Sequence, residues 1–389
     1  MNPKRTHKNI WLLGLASLLN DISSEIIAPI LPIIIKNLGG SGISIGLIGG
    51  VRDGLTHLLN LVFGILSDHH KKRNPFVFLG YLTSALFKGL FIFAQSWQHI
   101  LLFVGLERIG KSIRTSPRDV IVTQSMPNAV GKSLGIISSF DNVGGTIGSI
   151  IIFLLLWLYK FDLNLLIILA TSFSLLALIP LIFVTEPKPA TITGDPVTWG
   201  PLPKAVKTFA IINSIFHFGG VNYMFLTLRV HDFSSIFSPI QNALLMYISF
   251  NAVHALCAAP FGILIDSLSR RICVIAGYLL YGLVMAGFWF AQTPPQFWFL
   301  FIAYGAALAL TDTSQRAFAI ELAPSSRQGT SIGMVYASIG IAQITGGTLC
   351  GFIWEYAAHE YIFIISVLAV AISAILLLFY KPTAKNLAQ

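Results

Sequence analysis

Charge is what this sequence has least of. Asp, Glu, Lys and Arg make up 11% of its 389 residues, against 55% hydrophobic, with a mean hydropathy of +0.76. Soluble domains carry about 25% charged residues, so a soluble fold is excluded and an integral membrane protein is implied. Cysteine is scarce as well. Cys257, Cys273 and Cys350 lie in or beside apolar segments at no metal-ligand spacing, which leaves helix packing as their role and no metal to expect. A phosphate-cradling loop of the G-x-x-x-x-G-K-[ST] type is missing, so ATP is not the expected energy source. No nucleophile–base arrangement stands out. Neither an enzyme nor a cofactor is expected, and no catalytic residues are assigned.

What the chain has instead is long apolar runs. About 20 mostly apolar residues span a bilayer, and twelve segments qualify: roughly 10–35, 43–67, 75–95, 98–123, 132–157, 163–184, 206–230, 239–265, 272–292, 296–320, 330–354 and 360–380. These runs are continuous and contain Gly and Pro, whereas barrel strands would alternate every second residue. The fold class is therefore all-α and membrane-integral. The first segment follows the basic "NPKRTHKN", lacks a small-residue cleavage site and reads as a retained helix.

The net charge of +9 does not point to nucleic acid, because of where the bases sit. Lys4, Arg5 and Lys8 precede segment 1; Lys71, Lys72 and Arg73 separate segments 2 and 3. Arg114, Arg118 and Lys132 surround the 4–5 turn, and Lys188, Lys204 and Lys207 occupy the 6–7 connection. Arg270 and Arg271 lie between segments 8 and 9, Arg316 and Arg327 around the 10–11 turn, and Lys381 and Lys385 in the tail. All fall on one side if the segments alternate, while Lys36, Lys160 and Arg229 fall on the other. By the positive-inside rule both termini are cytoplasmic. The basicity reports topology in a lipid membrane, with no nucleic-acid partner.

The 6–7 connection, "TEPKPATITGDPVTWGPLPK", is the long polar stretch. It divides the chain into a six-helix bundle at 1–184, a cytoplasmic linker at 185–205 and a second six-helix bundle at 206–389. The halves repeat. "GILSD" at 64–68 returns as "GILID" at 262–266, and "TSPR" at 115–118 as "TSQR" at 313–316, both at an offset of 198. Gly131 and Gly135 return at the same offset as Gly329 and Gly333. Two bundles of like orientation are one repeat plan of secondary transporters, which places the substrate near the midplane between the halves.

With these features the sequence resembles a Major Facilitator Superfamily transporter over nearly its whole length. Gly64, Leu66, Asp68, Lys71, Lys72 and Arg73 resemble that family's loop signature G-x-L-x-D-R-x-G-R-K/R, with His69 where Arg is usual. Gly262, Leu264, Asp266, Arg270 and Arg271 resemble it again. The resemblance implies a gating latch at Gly64, Asp68, Arg73, Gly262, Asp266 and Arg270. "LERIGKSIRTSPRD" resembles the family's R-x-x-x-G element through Arg108, with Ser112 in place of Gly. Together with "DISSE" in segment 1 it is similar to a bacterial subgroup of efflux-type members. "GGTIGS" at 144–149 resembles the antiporter element G-x-x-x-G-P through Gly144 and Gly148, with Ser149 at the Pro position.

The remaining charges lie inside the apolar segments, where each costs at least ~2.5 kcal/mol if left ionised and alone. Asp21 and Glu25 are four residues apart, about 40° around a helix, and share one side. Pro29 and Pro32 are expected to kink the helix just past them. Two like charges on one face cannot easily both stay ionised, which suits a proton carrier. Proton coupling is therefore expected at Asp21 and Glu25, with Arg108 as counter-charge and Asp141 as a second candidate. The substrate cavity is expected at Arg52, Asp53, His57, Lys88, Glu107, Lys111, Asn142, Asn213, His217, Asn222, Tyr223 and Asp312.

The expected function is proton-coupled export of a small organic solute by antiport across a bacterial inner membrane, by a monomer. The alternative is proton-coupled uptake of an anionic solute, such as a carboxylate or siderophore-like metal chelate, drawn to Arg52, Lys88, Arg108 and Lys111.

Overall fold

The computed structural model describes residues 3–69, 73–126, 130–158, 163–186, 203–231, 239–323 and 328–380, all of them helical or connecting. Ten of the helical stretches are long and apolar enough to cross a membrane. They divide into two units, residues 1–40 with 55–193, and 41–54 with 194–389.

In the first unit α1 (Pro3–Ile27) carries Asp21 and Glu25 near its end. A 3-10 turn at Ala28–Ile30 and α2 (Leu31–Asn37) complete that span. Pro29 and Pro32 lack the N–H that a continuous α-helix would use and crowd the carbonyls behind them, so the change of helix type falls where the sequence predicts a kink. The other elements are the second half of α3 (Gly42–His69), α4 (Asn74–Gly89), α5 (Trp97–Ser125), α6 (Val130–Leu158), α7 (Leu163–Leu176) and α8 (Leu178–Ile182). Pro75 sits in the first turn of α4, where its missing donor costs nothing. Ile10, Leu13, Ala16, Val77, Tyr81, Ile121 and Val122 form the buried core of the unit.

α1 and α6 lie unusually close. A Cβ on Gly144 would meet the Leu18 carbonyl oxygen at 2.5 Å, and one on Gly148 the Ile22 carbonyl at the same distance. Only glycine leaves room for that approach. Along the same helix a Cβ on Gly135 would meet nothing within 4 Å.

The second unit contains the first half of α3, then α9 (Lys204–Phe218), α10 (Tyr223–His231), α11 (Pro239–Ser267), α12 (Arg270–Phe290), α13 (Pro294–Leu322), α14 (Gln328–Tyr356) and α15 (Tyr361–Phe379). Residues 41–54 group with this unit because Gly42, Gly46, Gly50 and Gly54 lie backbone to backbone on α14, at Gly351, Gly347, Gln343 and Gly340. The predicted seventh segment is two helices, α9 and α10, interrupted at Gly219–Asn222. α13 starts with a capping box, in which the Thr293 N–H donates to Gln296 Oε1 at 3.0 Å.

α3 and α5, 28 and 29 residues long, fall outside the ten apolar stretches. α5 carries Glu107, Arg108, Lys111, Arg114, Arg118 and Asp119 within one helix.

Candidate functional site

The charges of α5 are ordered. Glu107, Lys111, Arg114 and Arg118 follow one another at steps of four, three and four, which sets them in a stripe along one face. Arg118 is the most engaged of them. Its Nη1 donates to Ser17 Oγ on α1 at 2.5 Å and lies 3.6 Å from Asp141 Oδ2 on α6, while its Nε is 3.0 Å from Asp119 Oδ1. Three helices thus meet on one guanidinium.

Asp21 lies within electrostatic reach of this group: Lys111, Arg114 and Arg118 attract it and Asp141 repels it. Arg108, the counter-charge expected from the sequence, pairs instead with its chain neighbour Glu107 at 2.8 Å, both side chains being buried. Arg114 is also buried. Its guanidinium stacks 3.9 Å from the centre of the Tyr81 ring, and its Nη1 has no hydrogen-bond partner. Glu25 turns to another neighbour and packs over Gly145 and Gly148 of α6.

Lys88 of α4 is buried against the same turn of α1. Its ammonium donates to Ser24 Oγ at 2.9 Å, Ser23 Oγ at 3.1 Å and Asn20 Oδ1 at 3.4 Å, and Asn20 Oδ1 also accepts from Ser174 of α7 at 3.1 Å. These bonds tie α4 and α7 to the turn of α1 that carries Asp21. His57 is half-buried on α3, and Asn142 is exposed on α6.

Arg114 and Arg118 are what sequence reasoning missed. The predicted fourth segment, 98–123, already contains both, but the sequence reading assigns them to the cytoplasmic bases around the 4–5 turn, whereas in α5 they lie on the stripe with Glu107 and Lys111. The four-three-four spacing was the signal that could have found them.

The second unit holds a different cluster. The Arg52 guanidinium donates to Tyr223 Oη at 2.7 Å, and Asp53 accepts from Asn222 Nδ2 at 2.5 Å. Asn222 Oδ1 in turn accepts the Met224 N–H at 2.9 Å and caps α10 after the break. Val221 N–H donates to Tyr281 Oη at 3.0 Å. Behind them Tyr278 donates to Asn213 Oδ1 at 2.8 Å and accepts from Gln315, whose Oε1 lies 3.1 Å from His217 Nε2. Phe216 stacks on Tyr278 with ring centres 4.1 Å apart. His254 and the largely exposed Asp312 approach to 3.6 Å.

Of the expected latch, nothing is described of the surroundings of Gly64 or of the side chain of Asp68. The N–H groups of Arg73 and Asn74 donate to the Glu186 carboxylate at 2.8 and 3.0 Å. A Cβ on Gly262 would meet nothing within 4 Å, Asp266 is exposed, and Arg270 lies 3.6 Å from Glu321.

A family profile described as Major Facilitator Superfamily matches residues 13–249 and 209–389. An uncharacterized MFS-type transporter of Methanocaldococcus jannaschii is 38% identical over 385 residues, covering 97% of this chain and 96% of that one. Among solved structures, the nucleoside transporter NupG superposes with a TM-score of 0.81 at 14% identity, over 95% of this chain and 98% of that one. A bacterial homolog of the human lysosomal transporter Spinster gives 0.73 at 16% identity over 97% of each. The human organic anion transporter TETRAN gives 0.68 at 17% identity over 96% and 99%. At these identities the structural likeness is one of fold.

Proposed function

This chain belongs to the Major Facilitator Superfamily, and from that premise we propose that it couples solute movement to protons through the Asp21–Arg118–Asp141 group of its first unit. Family membership makes it a multi-pass membrane transporter of small molecules and not an enzyme. The proposal adds twelve spans, with α3 and α5 joining the ten apolar stretches, cytoplasmic termini and a bacterial inner membrane. Alternating access is the mode of movement. The second-unit cluster around Arg52, Asp53, Asn222 and Tyr223 contributes to holding the solute.

The observation that carries this reading is the sharing of Arg118 between carboxylates. One guanidinium serves Asp141 directly and attracts Asp21, so a proton on either acid changes which one the base holds. Ionisable residues inside membrane-spanning helices mark ion or proton pathways.

Similarity of the sequence to efflux-type members favours export by antiport. Gly144 and Gly148 add nothing to that direction, because close packing of α6 on α1 accounts for both. A second reading, uptake of an anionic solute with a proton, is favoured by Lys111 and Arg114, which have no ion pair among the described residues.

The test is solute flux into proteoliposomes under an imposed pH gradient, with wild type, Asp21→Asn and Asp141→Asn. Flux driven by the gradient in wild type, and lost in at least one variant that still exchanges solute without a gradient, supports the reading. Gradient-driven flux unchanged in both would move the proton elsewhere.

A further inference from the structure

Lys88 is a base held without a carboxylate. It lies in the apolar stretch Asn74–Phe93, is buried, and makes no ion pair among the described residues. Four neutral oxygens from one turn of α1 surround its ammonium instead. They are Ser24 Oγ at 2.9 Å, Ser23 Oγ at 3.1 Å, Asn20 Oδ1 at 3.4 Å and the Asn20 carbonyl at 3.5 Å.

The hydrogens around these oxygens are directed so that lone pairs face Lys88. Ser24 Oγ donates to the Asn20 carbonyl at 3.1 Å, and Asn20 Oδ1 accepts a second bond from Ser174 Oγ of α7 at 3.1 Å. An ammonium has only donors, so the Asn20 amide presents oxygen to it. Its Nδ2 is left buried with no hydrogen-bond partner, which is unfavourable by itself. Asn20, Ser23 and Ser174 are all buried with Lys88, so water does not serve the ammonium in their place.

Hydroxyl, amide and carbonyl oxygens converging on one point are the ligands that hard cations take. A positive charge in an apolar span is costly unless such groups replace its water. At the offset of 198 that relates the halves, the second half has Ala286 where the first has Lys88. The helical repeat therefore does not itself call for a base at this position.

We propose that Asn20, Ser23 and Ser24 form a binding site for a monovalent cation, and that the Lys88 ammonium is its tethered occupant. The chain then needs no free sodium or potassium to join α1, α4 and α7 at this point. Lys88, expected from the sequence in the substrate cavity, is engaged here instead of with the solute. Divalent ions do not suit the site, because no carboxylate is among its ligands.

Thermal unfolding of the detergent-purified full-length protein tests this, in the chlorides of choline, sodium, potassium and n-propylammonium at equal ionic strength. Lys88→Ala deletes the stem and ammonium that n-propylammonium restores. In choline this variant should melt several degrees below wild type. n-Propylammonium should raise its midpoint relative to wild type in the same salt, with the concentration dependence of a ligand that binds the folded state. Sodium and potassium, with water in place of the missing stem, should recover less. Wild type, its site already filled, should not distinguish sodium from potassium. Lys88→Met fills the space without the charge, and should melt low and respond to none of the salts.

No recovery of Lys88→Ala in n-propylammonium, sodium or potassium would overturn the proposal. So would equal recovery in propan-1-ol, which has the shape without the charge, or a Lys88→Met protein as stable as wild type. Asn20→Asp decides the matter if Lys88→Ala does not fold. A carboxylate oxygen can accept from both Lys88 and Ser174, and the orphan Nδ2 is gone, so the midpoint should match or exceed that of wild type. A lower midpoint would mean that these oxygens do not hold a cation. None of the variants replaces Asp21, Arg118 or Asp141, so the proposed proton group is tested separately.

Discussion

Arg118 is the residue on which the first unit depends most directly, because Ser17, Asp119 and Asp141 all reach it from different points of the chain. Replacing it leaves Asp119 and Asp141, both partly exposed, without the base they share. Arg118→Gln is therefore expected to lower gradient-driven flux about tenfold or more, with Arg118→Lys recovering part of it as a point charge without the fork. Flux measured at matched protein density decides the matter. In the second unit Asp53 is the comparable position, since it holds the Asn222 amide that caps α10. Asp53→Ala should cost about 1–3 kcal/mol, read as a lower midpoint of thermal unfolding in detergent. An unchanged midpoint would mean that the break between α9 and α10 does not need this clasp.

Close backbone approach joins several of the elements. Gly144 and Gly148 bring α6 onto α1, and Gly42, Gly46, Gly50 and Gly54 bring the first half of α3 onto α14. Lipid is as apolar as leucine, so close van der Waals contact has to supply the attraction between helices. Gly148→Leu should destabilise by about 1–3 kcal/mol through overpacking against Ile22. Gly135→Ala, on the same helix but facing open space, should be neutral or stabilising by roughly 0.5–1 kcal/mol. If the two variants melt together, the α1–α6 contact is not the reason for the glycine.

Much of this scale was legible in the sequence. The Pro pair after Glu25 announces the change of helix type at the end of α1, while the glycines from 42 to 54 take their meaning only from α14 lying against them. The partner of each contact was not legible, because glycine spacing marks a surface without saying what covers it. The interruption at Gly219–Asn222 was likewise hidden inside a hydrophobic run that passes for one span.

For the whole molecule the distribution of bases predicts a cytoplasmic C-terminus. A cysteine introduced at Lys385, after replacement of Cys257, Cys273 and Cys350 by serine or alanine, should react with an impermeant maleimide in inside-out vesicles and not in intact cells. Labelling in intact cells would reverse the topology.

Composition and the length of the apolar runs determined that the chain is a helical membrane protein, since both follow from hydrophobicity and residues per span, and the matches at an offset of 198 pointed to an internal duplication. Motif resemblance added the transporter family. Which charges meet was decided by the tertiary structure. Asp21 and Arg118 are 97 residues apart, and Arg108 and Arg118 are equally basic on paper; only the rotation and reach of α5 leave one beside Glu107 and the other between Ser17 and Asp141. An ion pair depends on a few ångströms of distance, and sequence spacing sets that distance within a helix but not between helices.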